Sequence, residues 1–190
     1  MTYEQFLKWD GENQHVEWVN GEVVPMPPIS DEHDDVSALL LSLLLHFVQH
    51  HKLGIVKHDP FQMRTGPDLP GRAPDIFYVS KRNRRRVQRT FLDGPADLVI
   101  EIISPDSRTI DRVEKFREYE QGGVREYWLI DPERRRAEFY RRGRDGRFRP
   151  IPLDDDGIFR STVLKGLWLE VDWLWLRPPL MAVLKEWWLV

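Results

Sequence analysis

Two carboxylates stand where a carboxylate is costly to keep. Glu101 sits inside Leu98-Val99-Ile100-Glu101-Ile102-Ile103, a run that is otherwise apolar. Burying its charge there is unfavourable unless a metal, a partner or a pKa shift compensates it. Asp75 follows Pro74 at the start of a second apolar run, so its side chain can point to a sheet edge or a cleft. Carboxylates placed like this can hold Mg²⁺ or Mn²⁺ beside a phosphate, and metal-assisted hydrolysis of a phosphodiester also needs a cation near the attacking water. Simpler readings compete. Glu101 can belong to a buried structural ion pair, and Pro-Asp is an ordinary turn pair. His46 and His50 have zinc-binding spacing without an evident third ligand, and imidazoles near a helix C-terminus are unremarkable. The chain has 0 cysteines, which excludes disulfides and thiolate chemistry. No glycine-rich phosphate loop and no serine-histidine-acid set stands out.

The elements that must position these groups follow from periodicity and punctuation. Thr2 and Gln5 form a capping-box pattern for a short helix ending near Asp10-Gly11. Residues 15–19 and 22–26 flank Asn20-Gly21, the preferred type I′ hairpin turn. Ser30 can cap a leucine-rich helix that Gly54 stops. Residues 55–58, 61–64, 75–79 and 98–103 read as strands, followed by a helix over 109–121 with Val113, Phe116 and Tyr119 on one stripe. Strands over 126–130 and 137–141 come next. A weaker strand at 167–171 precedes a helix opened by Pro178-Pro179. Helices on a mixed sheet make an α/β fold, with residues 98–130 as a strand-helix-strand crossover.

At 190 residues the chain reads as one domain spanning residues 1–190, since ~150 residues per domain is usual. No apolar run approaches the ~20 residues of a bilayer span, and the N-terminus has no secretory pattern, so a cytoplasmic protein that does not touch membrane is expected. The net charge of -3 hides an uneven distribution. Residues 81–89 carry six basic side chains and residues 134–149 carry eight arginines, while 31–35 and 154–156 are acidic. Such runs are ordinarily solvated, but two in one small chain suggest a phosphate-facing side, with Arg84, Arg85 and Arg86 the candidates for nucleic-acid contact.

The sequence resembles the Uma-two family, a bacterial group of restriction-endonuclease-like proteins. The matching blocks occur in the family's order: Thr2 to Leu7, Val16-Glu17-Trp18-Val19-Asn20-Gly21-Glu22, Asp31-Glu32-His33, Ala73-Pro74-Asp75-Ile76, Leu98 to Pro105, Lys115-Phe116-Arg117-Glu118-Tyr119, and Gly123 to Pro132. The resemblance implies the PD-(D/E)xK fold, with a mixed central β-sheet flanked by helices. It also implies that Asp75 and Glu101 hold the metal and that Glu17 is a further acid at the site. One position departs from the superfamily pattern: Ile103 stands where a lysine is usual. The resemblance implies that Lys115, on the following helix, supplies the cation instead. It lies ~40° around the helix from Tyr119 and can lean inward, or it can pair with Asp111 on the solvent side. His33 matches the family and is a possible neighbour of the site, with helix capping an equal alternative.

Together these features point to a Mg²⁺- or Mn²⁺-dependent endonuclease acting on DNA, and the resemblance implies a homodimer, since related nucleases often pair because two strands need two sites. Two other readings stay open. One is a nucleic-acid-binding module that keeps the fold without catalysis. The other is an accessory scaffold whose C-terminal tryptophans, four of the eight in the chain, bind protein.

Overall fold

The apolar runs assemble into a six-stranded mixed sheet in a computed structural model, which describes residues 1–11, 15–105 and 107–190. The chain opens with α1 (Tyr3–Phe6), where Thr2 and Gln5 complete the capping box, and it stops short of the expected end near Asp10-Gly11. The hairpin of β1 (Val16–Val19) and β2 (Glu22–Pro25) turns through Asn20, φ 51°, and Gly21, φ 89°, the two left-handed residues a type I′ turn requires. Ser30 caps α2 (Asp31–His50), accepting from the His33 N–H at 3.2 Å. Gly54 does not end this helix as its type suggests. Lys52, φ 53°, makes the left-handed turn, and Gly54 opens β3 (Gly54–His58), where a Cβ would sit 2.1 Å from the Val79 carbonyl oxygen.

Short strands β4 (Gln62–Arg64) and β5 (Gly71–Arg72) lead into β6 (Ile76–Ser80), a 3-10 helix (Lys81–Arg86) and β7 (Phe91–Asp93). Then come β8 (Leu98–Ile102), a π-helical turn (Ile110–Lys115) and α3 (Phe116–Gly122). Strands β9 (Glu126–Asp131), β10 (Arg136–Arg142) and β11 (Phe148–Pro150) follow, and β12 (Ile158–Arg160) pairs with β13 (Trp168–Glu170). Helices α4 (Trp173–Leu176) and α5 (Leu180–Glu186) close the chain. The central sheet runs β11-β10-β9-β8-β6-β3, and a second runs β2-β1-β5-β4-β7. Strands β8 and β9 are parallel, as the crossover reading requires, while β6 and β8 are antiparallel.

Each face of the central sheet is covered. Helix α2 lays Val36, Leu40, Leu44 and Phe47 against one face together with Leu184 and Trp187. Phe77, Val99, Tyr119, Tyr127 and Leu129 fill the other. Strand alternation therefore sends Leu98, Ile100 and Ile102 toward α2, and Val99 and Glu101 toward α3. Most of the C-terminal aromatic residues join the core, whereas Trp188 is 89% exposed. Among the described residues no helix is long and apolar enough to cross a membrane.

The helix over 109–121 departs from its predicted stripe. Its first turn is π-helical, which inserts about one residue and rotates the preceding positions by ~100° relative to an α-helix. Val113, expected inward with Phe116 and Tyr119, is exposed; Asp111 and Lys115 point inward instead.

Strand β8 is pinned at its start by Asp97, fully buried, which accepts from the Ser80 N–H at 2.8 Å, the Asn83 amide at 2.9 Å and Arg125 at 3.1 Å. Burial pushes this carboxyl up, but those donors outweigh it and hold it below the usual aspartate range. A depressed folded pKa gives stability that is present above the unfolded value of ~3.9 and is lost as pH falls through the folded value. Asp97→Asn should therefore cost about 1–3 kcal/mol at pH ~7 and lose less further stability than the parent on going to pH ~3. Urea unfolding at both pH values measures this, and equal acid losses in the two proteins would refute it.

Candidate functional site

The β6–β8 register that pairs Ile76 with Ile100 sets Asp75 directly across from Glu101. Asp75 Oδ2 accepts from the Ile102 N–H at 2.6 Å, which ties this carboxylate to the end of β8. Glu101 projects toward α3, where the Tyr119 hydroxyl donates to Oε1 at 2.6 Å and Lys115 Nζ donates to Oε2 at 3.0 Å. Lys115 also lies 3.0 Å from Asp111 Oδ1 and 3.7 Å from Glu17 Oε1. The alternatives weighed for Lys115 are thus both realised: it pairs with Asp111, but in the interior, only 4% exposed, and beside Glu101.

Glu17 reaches this cluster from the other sheet. Its Oε1 accepts from the Ala73 N–H at 3.1 Å and its Oε2 from Arg72 Nη1 at 2.8 Å. Buried Arg72 donates on to both oxygens of Glu118 at 2.7 and 2.8 Å, linking β5 to α3. His33 lies on the inward stripe of α2 with Val36 and Leu40, and its Nε2 is 3.3 Å from Asp75 Oδ2. Its backbone meets the Ser30 cap, so capping and proximity to the site are both present.

The charges determine protonation. Burial would lower Lys115, but Glu101, Glu17, Asp111 and Asp75 outweigh it and hold the ammonium well above the usual lysine value. Burial, reinforced by Asp75 and Asp111, pushes Glu101 well above the carboxylate range against the pull of Lys115. Burial would also raise Glu17, yet Lys115 and Arg72 hold it low. Burial thus favours the protonated form of Glu101, whereas Glu17 is held as the carboxylate. For His33, burial is outweighed by Asp75, which raises it.

Asp75, Glu101, Asp111 and Lys115 line a cavity of about 670 Å³, with Met26, Pro27 and Leu41 on its apolar side. Among the described residues no three His, Asp or Glu side chains converge as a ready-made metal set. A hard cation such as Mg²⁺ needs only one or two carboxylates, completed by water and substrate oxygens. Asp75 and Glu101 fit that donor set, and Asp111 Oδ1, buried without an aligned hydrogen bond, adds to the excess of acid over cation. His46 and His50 are exposed, and His46 Nδ1 contacts the Ser42 carbonyl at 2.7 Å. The 3-10 helix that carries Arg84, Arg85 and Arg86 follows β6, whereas Asp75 precedes it. That run therefore lies ~20 Å along the strand from the carboxylates.

A family profile described as "Putative restriction endonuclease" matches residues 3–172. The chain belongs to the Uma2 family. Among solved structures, one described as "a putative nuclease belonging to DUF820", from Anabaena variabilis ATCC 29413, superimposes with a TM-score of 0.73 at 20% identity, over 92% of this chain and 97% of its own. That likeness shows that the two chains share one mixed α/β fold, and the restriction-endonuclease-like description comes from the family. No curated protein matches the chain.

Several residues of this Uma2 site were not singled out in the sequence. Arg72 sits in Gly71-Arg72-Ala73 and carries no sign of burial. Asp111 reads as a solvent partner of Lys115 until the π-turn rotates it inward. Tyr119 reads as core, although a buried phenol needs a partner and so hints at one. Asp59, paired with His15 at 2.7 Å on the cavity wall, gives no local signal.

If Lys115 is the charge that balances this cluster, Lys115→Met should destabilise the protein by about 3–5 kcal/mol, the usual result of removing one partner from a buried ion pair. Denaturant midpoints read this, and a loss under ~1 kcal/mol would mean that the acids are balanced otherwise.

Proposed function

We propose that the protein is a Mg²⁺- or Mn²⁺-dependent endonuclease that hydrolyses DNA phosphodiester bonds in the cavity containing Asp75 and Glu101. The observation that carries this reading is the buried Lys115 ammonium, 3.0 Å from Glu101, which itself stands across the register from Asp75. The lysine absent at Ile103 is replaced from the neighbouring helix, so two carboxylates and a cation converge from three elements.

In this reading Asp75 and Glu101 hold the metal, which when bound polarises the scissile phosphate and makes a nucleophile of water at neutral pH. The Ile102 N–H orients Asp75, and the Tyr119 hydroxyl orients Glu101. Lys115 holds the attacking water and offsets charge at the phosphate as the transition state forms. Glu17, steadied by Arg72, keeps Lys115 drawn into the site. His33 fixes the other side of Asp75. Arg84, Arg85 and Arg86 contact DNA only where the substrate extends far beyond the cavity. The enzyme acts as a cytoplasmic homodimer with one site per strand. The exposed Leu176, Met181 and Trp188 supply apolar surface for that association.

Asp75→Ala tests the assignment. It should slow Mg²⁺- or Mn²⁺-dependent DNA cleavage by ~10³-fold or more, because several kcal/mol of charge stabilisation are lost and each 1.36 kcal/mol is tenfold. Binding measured in Ca²⁺ should be retained or strengthened, since a carboxylate facing phosphate has been removed. Wild-type protein that binds DNA in a salt-dependent way yet cleaves neither duplex nor single strands with either metal would instead be a binding module.

A further inference from the structure

The two arginine-rich runs, far apart in sequence, meet in space at the end of the central sheet opposite the carboxylates. Two adjoining cavities of about 360 and 280 Å³ share Gly123 and Arg125. Arg82 and Arg86 of the first run line one, and Arg141 and Arg142 of the second line the other. Topology brings them together. The 3-10 helix follows β6, Arg125 immediately precedes β9, and Arg141 pairs with Glu126 at the end of β10. Because β8 and β9 run parallel, antiparallel to their outer neighbours, all of these positions fall at the same end of the sheet.

Arg125 pairs with Asp97 at 3.1 Å through one Nη1 N–H, but its side chain is largely exposed and its other donors face outward. Arg86 Nη1 donates to the Pro95 carbonyl at 2.8 Å and Arg142 Nε to the Glu120 carbonyl at 3.1 Å, so main-chain oxygens orient both guanidinium groups, while the Glu120 carboxylate, near enough to feel Arg142, is hydrogen-bonded by Arg147 and the Phe148 N–H. Asp97 is the acid in this lining, and it is fully buried and already saturated by Ser80, Asn83 and Arg125. The carboxylate cavity has the opposite character, with Asp34, Asp59, Asp75, Glu101 and Asp111 set against Lys115. That end offers a polyanion little long-range attraction, whereas the arginine end does.

We infer that this arginine cleft is a separate binding site for the phosphodiester backbone of nucleic acid, engaging successive phosphates through Arg82, Arg86, Arg125, Arg141 and Arg142. Guanidinium groups suit this role because their forked donors match phosphate oxygens. Asp97 lies four residues before Glu101, so the cleft is ~13 Å along β8 from the carboxylate cavity. The inference rests on the cleft and does not depend on the nuclease reading, since it concerns equilibrium binding.

The test is binding of labelled DNA of about 30 base pairs in EDTA, with NaCl varied from ~50 to ~200 mM, to the full chain and to three variants. Arg125→Gln/Arg141→Gln/Arg142→Gln should bind at least ~10-fold more weakly at ~100 mM salt, and its log–log salt slope should fall by roughly 2–3. Arg141→Gln/Arg142→Gln keeps the Arg125–Asp97 pair, and with it the fold, and should lower the slope by roughly 1–2. A charge-matched control, Arg136→Gln/Arg160→Gln/Arg177→Gln, alters exposed arginines that do not line the cleft, Arg136 being at the opposite end of β10, and should leave the slope within ~0.5 of the parent. The inference is overturned if the double variant keeps the parental slope and affinity, or if the control weakens binding as much as the triple. It also fails if ~10 mM inorganic phosphate displaces the DNA beyond the effect of chloride at matched ionic strength, which would mark a small-anion site. Because no metal is present, these outcomes stand whether or not the protein cleaves DNA.

Discussion

A lysine ammonium enclosed by carboxylates is the contact on which the rest of this structure depends. Lys115 is nearly inaccessible to water, and the free energy of stripping it of solvent is offset only because Glu101, Asp111 and Glu17 surround it. Those acids need the lysine as much as it needs them. The result is a cluster with more acid than cation, in which burial drives Glu101 toward its protonated form while Lys115 stays charged. Such a centre is a poor stabiliser, the usual compromise where polar groups are kept buried for function.

The surrounding architecture serves to hold these groups in place. The π-turn carries Asp111 and Lys115 to the interior and leaves Val113 outside. Arg72 joins β5 to α3 through Glu118 and donates from Nη1 to Glu17, so the smaller sheet and the lysine-bearing helix are fastened by one side chain. The three residues after Arg72 bring the chain from that brace to Asp75. Alternation in β8 then decides that Glu101 shares a face with Tyr119 and not with the leucines of α2.

The two ends of the central sheet differ in sign. The ends of β6 and β8 that carry Asp75 and Glu101 form an acidic cavity, and the opposite end gathers arginines from both basic runs. Acid concentrated at one end favours cations there; arginines oriented by main-chain carbonyls at the other favour phosphate. A net charge of -3 conceals this division, because it sums groups that lie far apart.

Much of the fold was legible in the residues themselves. The Thr2 and Ser30 caps, the Asn20-Gly21 turn and the β8-helix-β9 crossover all depend on neighbours within a few positions, where local sterics and hydrogen bonding decide. Glu101 was conspicuous because a charge within an apolar strand needs an explanation, whereas Ile103 stood out only against the pattern of the superfamily that the sequence resembles. Which way Lys115 leans, the burial of Arg72 and the inward turn of Asp111 were not legible. They depend on one extra residue in a helical turn and on contacts between segments far apart in the chain, such as Arg72 and Lys115 with Glu17, and electrostatic pairing through space leaves no periodic trace in the chain. Composition likewise disclosed two arginine runs, but only the antiparallel return of β10 along β9 decided that Arg141 and Arg142 meet Arg125 and Arg86 and do not flank the carboxylates. The sequence by itself determined the elements and the chemical types at the site. Only the tertiary structure decided which charges share one low-dielectric space, because that follows from strand register and helix rotation, which no single segment contains.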